Sequence, residues 1–125
     1  MGDVDGLNQG VYHYEPHKHE LLNMLNGDMR ADLAKAALDQ DCVSNSAVNI
    51  VFAAIYERTT ERYGDRGKRY VHMEAGHAAQ NVYLQAVALS LGTVTIGAFD
   101  DSQIKEVLNL LTSQETLYIM PGGRK

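Results

Sequence analysis

The sequence predicts an α+β domain in which a small sheet is gathered around one long central helix. Three observations carry this. The stretch from Lys68 to Leu91 has no proline, and only Gly76 interrupts it. Two short β-rich runs sit near the start, around a turn containing Pro16. The remaining segments alternate, giving the order hairpin, helix, strand, long helix, strand, helix, strand.

Each element has a local reason. Residues 1–9 are acidic and glycine-containing and read as a flexible lead, and 10–125 as a single domain. Gly10 to Leu25 reads as a β-hairpin, with Val11-Tyr12-His13-Tyr14 extended and Glu15-Pro16-His17-Lys18 as the turn. Asp28 is placed as a helix N-cap whose carboxylate takes orphan backbone N–H groups, and Met29, Leu33, Ala36, Ala37 and Gln40 follow at helical spacing. Ser44-Asn45-Ser46 reads as a loop. The dense apolar run from Val48 to Tyr56 reads as a strand buried on both faces. Glu57 to Arg66 is a mixed-sign solvated stretch.

The second half of the long helix, Val82 to Leu91, is apolar on nearly every side and predicts burial all round, with Gly92 as its stop. Thr93 to Phe99 reads as a strand. Asp100-Asp101-Ser102 caps a short helix carrying Ile104, Val107, Leu108 and Leu111, and Glu115 to Met120 is the last strand. Pro121 to Lys125 reads as a basic tail.

Composition excludes several function classes. Apolar residues are 45 % and charged residues 22 % of 125, which suits a globular domain and not a disordered chain. A formal charge of −5 argues against a phosphate-neutralising nucleic-acid binder and against docking on an anionic membrane. No run of apolar residues is long enough for a transmembrane helix. The single cysteine, Cys42, permits no internal disulfide, fits a reducing cytoplasm, and reads as a small buried apolar residue.

With these elements in place, the run YERTTERYGDRGKRYVHMEAGHAAQNVYLQAVALSLGTVTIGAFDD resembles the central helix and following strand of SagB-type dehydrogenases of the nitroreductase fold. The ordered set Tyr70, Glu74, Gly76, Gln80-Asn81, Leu91-Gly92 and Gly97-Ala98-Phe99-Asp100 is its most specific part. The hairpin with the helix after it, and the ending ETLYIMPGGRK, extend the likeness from Gly10 to Lys125. The resemblance implies an FMN-dependent nitroreductase-like fold, a homodimer built on the Lys68–Leu91 helix, and FMN at the dimer interface. It also implies small-molecule or peptide substrates, thiazolines and oxazolines among them. Full-length members carry an N-terminal Arg-Arg-Ser-like motif that grips the flavin phosphate. Here the first arginine is Arg30, so the chain reads as a truncated, split or degenerate member, and a separate chain is expected to supply that portion.

The residues assigned to the cofactor follow from that resemblance. Gly97, Ala98 and Phe99 form a corner whose backbone N–H groups reach the flavin ring, Gly97 allowing close approach; the alternative is a strand-to-helix turn that needs glycine. Arg124 and Lys125 supply cations for the phosphate, or simply end the chain. Gln40 faces the ring by analogy with the family. No catalytic side chain is singled out. Glu74, His77 and Asn81 share one helical face, and a lone Glu-x-x-His reads as polar surface or interface rather than a metal motif. His13, His17 and His19 read as a solvated hairpin, not a zinc site, since no second cysteine joins them. Two functions follow: an FMN-dependent oxidoreductase, or a non-enzymatic dimerisation or partner module derived from the same fold.

Overall fold

The computed structural model describes residues 1–124. Strands β1 (Gly10–Glu15) and β2 (Glu20–Asn26) form a hairpin, and His19 takes a left-handed φ of 53° at its turn. The chain ahead of the hairpin is tied to the body. The Met1 ammonium donates to Gly10 O at 2.8 Å, and the Gly2 and Asp3 amides both donate to Ala47 O at 3.0 Å.

Helix α1 (Arg30–Ala36) starts one residue later than expected, with Met29 rather than Asp28 at the N-cap position and no side-chain cap there. Asp28 Oδ1 accepts the Arg30 amide at 3.1 Å, while its carboxylate takes the Arg30 guanidinium at 2.7 Å. Arg30 also donates to Ser46 O at 2.8 Å, which fastens the helix start to the chain entering the sheet. The Arg30 hydrogen bonds hold the Asp28 carboxyl below its ordinary 3.8, against a smaller opposing effect of burial. A carboxyl lowered by folding contributes stability that is present above its unfolded value and lost as pH falls through its folded one. Asp28→Asn should therefore show a shallower loss of stability between about pH 5 and pH 3 than the parent, read from urea midpoints. Equal slopes would mean that the pair adds nothing.

Two consecutive left-handed residues, Leu38 (φ 60°) and Asp39 (φ 57°), end α1 and deliver Gln40 to the start of a one-turn helix, α2 (Asp41–Ser44). The sequence reading missed this turn and misplaced Cys42. Cys42 is exposed, because the inward position of so short a helix belongs to Val43, which is fully buried.

Strands β3 (Val48–Ala54), β4 (Leu91–Thr93) and β5 (Glu115–Arg124) form an antiparallel sheet in the order β3-β5-β4. β5 is therefore central and β3 lies at an edge. This corrects the reading of Val48–Tyr56 as buried on both faces: Ile50 is exposed, and helices pack on β5 instead. β5 is also longer than expected. Pro121 to Arg124 are no tail but part of the strand, with Gly122 opposite Val48 and Arg124 opposite Leu91.

Helix α3 (Glu57–Tyr63) lies against the long helix α4 (Arg66–Ala88) at Gly67, where a Cβ would come within 3.0 Å of the Thr60 backbone. In α4 only Gly67, Ala79 and Ala86 are buried, while Leu84 and Val87 are 61 % and 67 % exposed. Burial all round is thus overturned within one chain. The apolar core sits elsewhere, where α1, α2 and α5 (Asp101–Leu108) meet β5: Leu33, Ala37, Val43, Ile96, Ile104 and Ile119. Two helix ends also differ. Ser90 (φ 58°) turns the chain after α4, so Gly92 is free to join β4. Asn109 (φ 52°) stops α5, which leaves Leu111 beyond it and exposed.

Candidate functional site

The strand expected over Thr93–Phe99 is only half formed. β4 ends at Thr93, and the chain meets β5 again through a single bridge between Ile96 and Ile119, with N–H···O distances of 2.8 and 3.0 Å. Four residues later the Asp100 amide donates to Ala36 O at 2.8 Å, and Asp100 Oδ1 caps α5 by accepting from the Gln103 amide at 2.9 Å. The corner Gly97-Ala98-Phe99 is thus fixed at both ends. Its own three amide N–H groups find no acceptor among the described residues. A Cβ at Gly97 would meet only the Tyr118 ring, at 3.9 Å, so the space before this backbone is open. Gly97 and Ala98 are exposed and Phe99 is half-buried, so these donors are open to the space outside the corner. Three consecutive free donors on a pinned segment make a preset edge for a ligand carrying oxygen or nitrogen acceptors.

Gln40 comes to this corner across 58 residues of chain. Its Nε2 donates to Ala98 O at 3.2 Å and to Ala37 O at 2.8 Å, so the side chain latches the α1–α2 junction onto the corner. Arg124 does not join them. It is exposed at the far end of β5, opposite Leu91, whereas Ile119 faces Ile96 beside the corner. Five residues of strand separate the two, roughly 16 Å. Lys125 lies outside the described residues.

A pocket of about 250 Å³ opens beside the corner, bordered by Gly97, Phe99, Asp101, His72, Thr116 and Tyr118. A bulge in β5 shapes it. Phe52 pairs with Tyr118 and Ala53 with Thr116, which leaves Leu117 as an extra residue and breaks the strict alternation of faces. Three consecutive strand residues, Thr116 to Tyr118, therefore line one pocket. Thr116 is 6 % exposed, and its Oγ1 has no hydrogen-bond partner among the described residues. Such a hydroxyl costs about 1–3 kcal/mol if nothing ever pairs with it. The other buried hydroxyl, Ser46, donates to Val43 O at 2.9 Å.

His72, on α4, is held by the Tyr56 hydroxyl, 2.6 Å from its Nε2, with the rings edge-on. Burial, with the negative charges of Glu115 and Asp101, raises the Tyr56 phenol above its ordinary 10.0. The phenol and the ring nitrogen can each serve as donor or acceptor in this bond, and the contact fixes the ring's orientation either way.

Sequence reasoning singled out neither His72 nor Thr116. Tyr56 and His72 are 16 residues apart and meet only because α3 folds back along α4. The one available signal was the His72–Ala75 spacing, which puts both on one helical face. Other residues weighed from sequence are accounted for locally. His77 Nδ1 lies 3.3 Å from Glu74 Oε2 on an exposed face, and His19 Nδ1 lies 2.9 Å from the Tyr14 hydroxyl. The Tyr83 hydroxyl accepts the Thr95 amide at 2.7 Å, and Tyr70 stacks edge-on with Tyr63.

A family model described as the nitroreductase family matches residues 6–124. A Methanocaldococcus jannaschii protein bearing the nitroreductase name is 50 % identical over 123 residues, which is 98 % of this chain and 61 % of the relative. A crystal structure of a nitroreductase-named protein from Anabaena variabilis superimposes with a TM-score of 0.92 at 36 % identity, over 97 % of this chain and 25 % of that one. The NADPH:FMN oxidoreductase of Vibrio harveyi, complexed with NAD+, gives a TM-score of 0.65 at 29 % identity, over 77 % of this chain and 45 % of that one. This chain therefore spans about three fifths of the curated relative it matches (61 %). Among the described residues no helix is long and apolar enough to cross a membrane.

Proposed function

The chain belongs to the nitroreductase family, and on that premise we propose that it is an FMN-dependent oxidoreductase of the SagB-type branch. The observation that carries the proposal is the set of three unpartnered amides on the pinned Gly97-Ala98-Phe99 corner. The residues present fit the ring of a flavin at this edge: its pyrimidine oxygens and ring nitrogens are acceptors, and the corner offers donors without obstruction. Gln40 keeps the corner in register, and Arg124, with Lys125, is assigned to the phosphate end. FMN, when bound, supplies two-electron transfer as hydride. The chain's own part is to orient the ring edge and hold donors where negative charge develops. The SagB-type assignment rests on the ordered residues from Tyr70 to Asp100, and it brings small-molecule or peptide substrates with it.

Two partners belong to this reading. A second copy covers the exposed apolar face of α4, giving a homodimer. A separate chain supplying the Arg-Arg-Ser-like portion is the second partner, and it is carried over from the resemblance alone. The cytoplasm is the compartment in which an exposed thiol such as Cys42 stays reduced.

The test is an absorbance spectrum of the purified chain before and after incubation with FMN and desalting. Retained flavin bands at about one FMN per chain are expected. A colourless protein, with FMN present in excess and with the partner portion added, would remove the oxidoreductase reading and leave the non-enzymatic dimerisation or partner module.

A further inference from the structure

We propose that two copies of this chain together bind one divalent metal ion of the zinc class, held by Glu74 and His77 of each copy where their α4 helices meet. The site rests on the homodimer reading, since one chain supplies only half of the ligands; it does not depend on flavin.

The half-site is already formed in a single chain. Glu74 and His77 stand one turn apart on α4, with Glu74 Oε2 3.3 Å from His77 Nδ1. That is longer than the about 2.7–3.2 Å of an ordinary N–H···O bond. It is the separation a tetrahedral ion imposes. Bonds of about 2.0–2.2 Å to a carboxylate oxygen and an imidazole nitrogen hold those two atoms roughly 3.3–3.5 Å apart. Both side chains are open to solvent, His77 at 75 % and Glu74 at 82 %, so nothing in the chain blocks an ion. Among the described residues of one chain, no group of three or more His, Cys, Asp or Glu gathers to hold a metal. Glu74 and His77 therefore need ligands from elsewhere.

The open face of α4 brings them. Tyr70, Met73, His77, Gln80, Leu84 and Val87 are all exposed and recur at intervals of three and four residues, the spacing of a helix–helix seam. The seam is apolar at both ends and polar in its middle. Antiparallel pairing about a twofold axis puts Leu84 and Val87 of each copy against Tyr70 and Met73 of the other. The polar middle then meets itself, and two Glu-x-x-His pairs come together, the number a helix-borne metal centre requires. Gly76 lies between the two ligands in the chain, and a Cβ there would meet nothing within 4 Å. Its bare backbone lets a second helix approach closely at the level of the ligands, which offsets the roughly 1 kcal/mol that a mid-helix glycine costs. Two imidazole nitrogens and two carboxylate oxygens make a four-coordinate set suited to Zn2+ or its neighbours, whereas Mg2+ and Ca2+ favour shells of oxygen alone.

The test is equilibrium dialysis and sedimentation of the purified, untagged chain, stripped with EDTA and titrated with Zn2+. Half an equivalent of Zn2+ per chain is expected, one ion per dimer, and the ion should tighten the dimer at least about tenfold. His77→Ala removes two of the four ligands and should weaken Zn2+ at least about a hundredfold; Glu74→Gln should weaken it at least about tenfold. Both residues are exposed surface, so neither change should move the urea midpoint of the metal-free chain. A dimer that binds no Zn2+ saturably sinks this proposal and leaves the homodimer standing. One ion per chain, or affinity unchanged in His77→Ala, would also overturn it and place the metal elsewhere, with the hairpin's His13, His17 and His19 the next to replace. A chain that stays monomeric even with Zn2+ present refutes the homodimer, and this site with it.

Discussion

Replacing Ile119 with alanine should lower the unfolding free energy by about 2–5 kcal/mol, among the largest effects open to a single substitution in this chain. Ile119 is fully buried on the central strand β5, packed in the cluster that also holds Ile96, Ile104 and Val43. Its backbone forms both bonds of the bridge to Ile96. Truncation would leave a void where the sheet, α1 and α5 converge. Ile96 and Ala37, neighbours in the same cluster, are themselves held by the bridge and by the Ala37 amide bond to Leu33 O at 2.9 Å. Urea denaturation with an unchanged m-value should report the loss as a lower midpoint. A loss under about 1 kcal/mol would place the stabilising core elsewhere. The same variant should also loosen the ligand edge, because the Ile96 bridge is the anchor that precedes Gly97.

Glutamates at Leu84 and Val87 should convert the homodimer proposed above into monomer. Both side chains point away from the fold in a single chain, at 61 % and 67 % exposure, and Leu89 extends the patch. Burying such residues against a second copy contributes about 1.5–3 kcal/mol each, and four glutamates in one symmetric interface would add repulsion and desolvation cost. The expected weakening is about a thousandfold or more in dissociation constant, read by light scattering or sedimentation at micromolar concentration. Urea midpoints of the dissociated variant should stay near those of the parent monomer, because neither residue belongs to the core. A parent chain that is already monomeric at that concentration would refute the homodimer. Substitutions without effect on the mass would move the interface to another surface.

Much of the fold was legible because local chemistry dictates it. Pro16 and its neighbours mark the hairpin turn, Asp100-Asp101-Ser102 marks the start of α5, and the proline-free run marks α4. Gln40 hydrogen-bonds to Ala98 O at the corner, while the part of either toward a flavin stays a proposal. Errors fell where the answer lies in a partner distant along the chain. Val48–Tyr56 has the composition of a central strand, yet β5 took the centre and left β3 at the edge. Cys42 looked like a core residue until two left-handed residues rotated α2 and gave Val43 the inward place. Pro121 to Arg124 have the composition of a tail, but Ala47 N–H donates to Gly122 O at 3.0 Å and the segment continues the sheet.

By itself, the sequence determined the elements and their order, the capped start of α5, and an apolar helix too rich for one chain to cover. These follow from periodicity, caps and turn residues, which act over a few positions. The tertiary structure alone decided which strand is central, which face of α4 stays open, and that His72 and Thr116 border one pocket. Those outcomes depend on pairings between residues far apart in the chain. A one-residue bulge at Leu117 is enough to re-aim a wall of the site, and no local pattern encodes it.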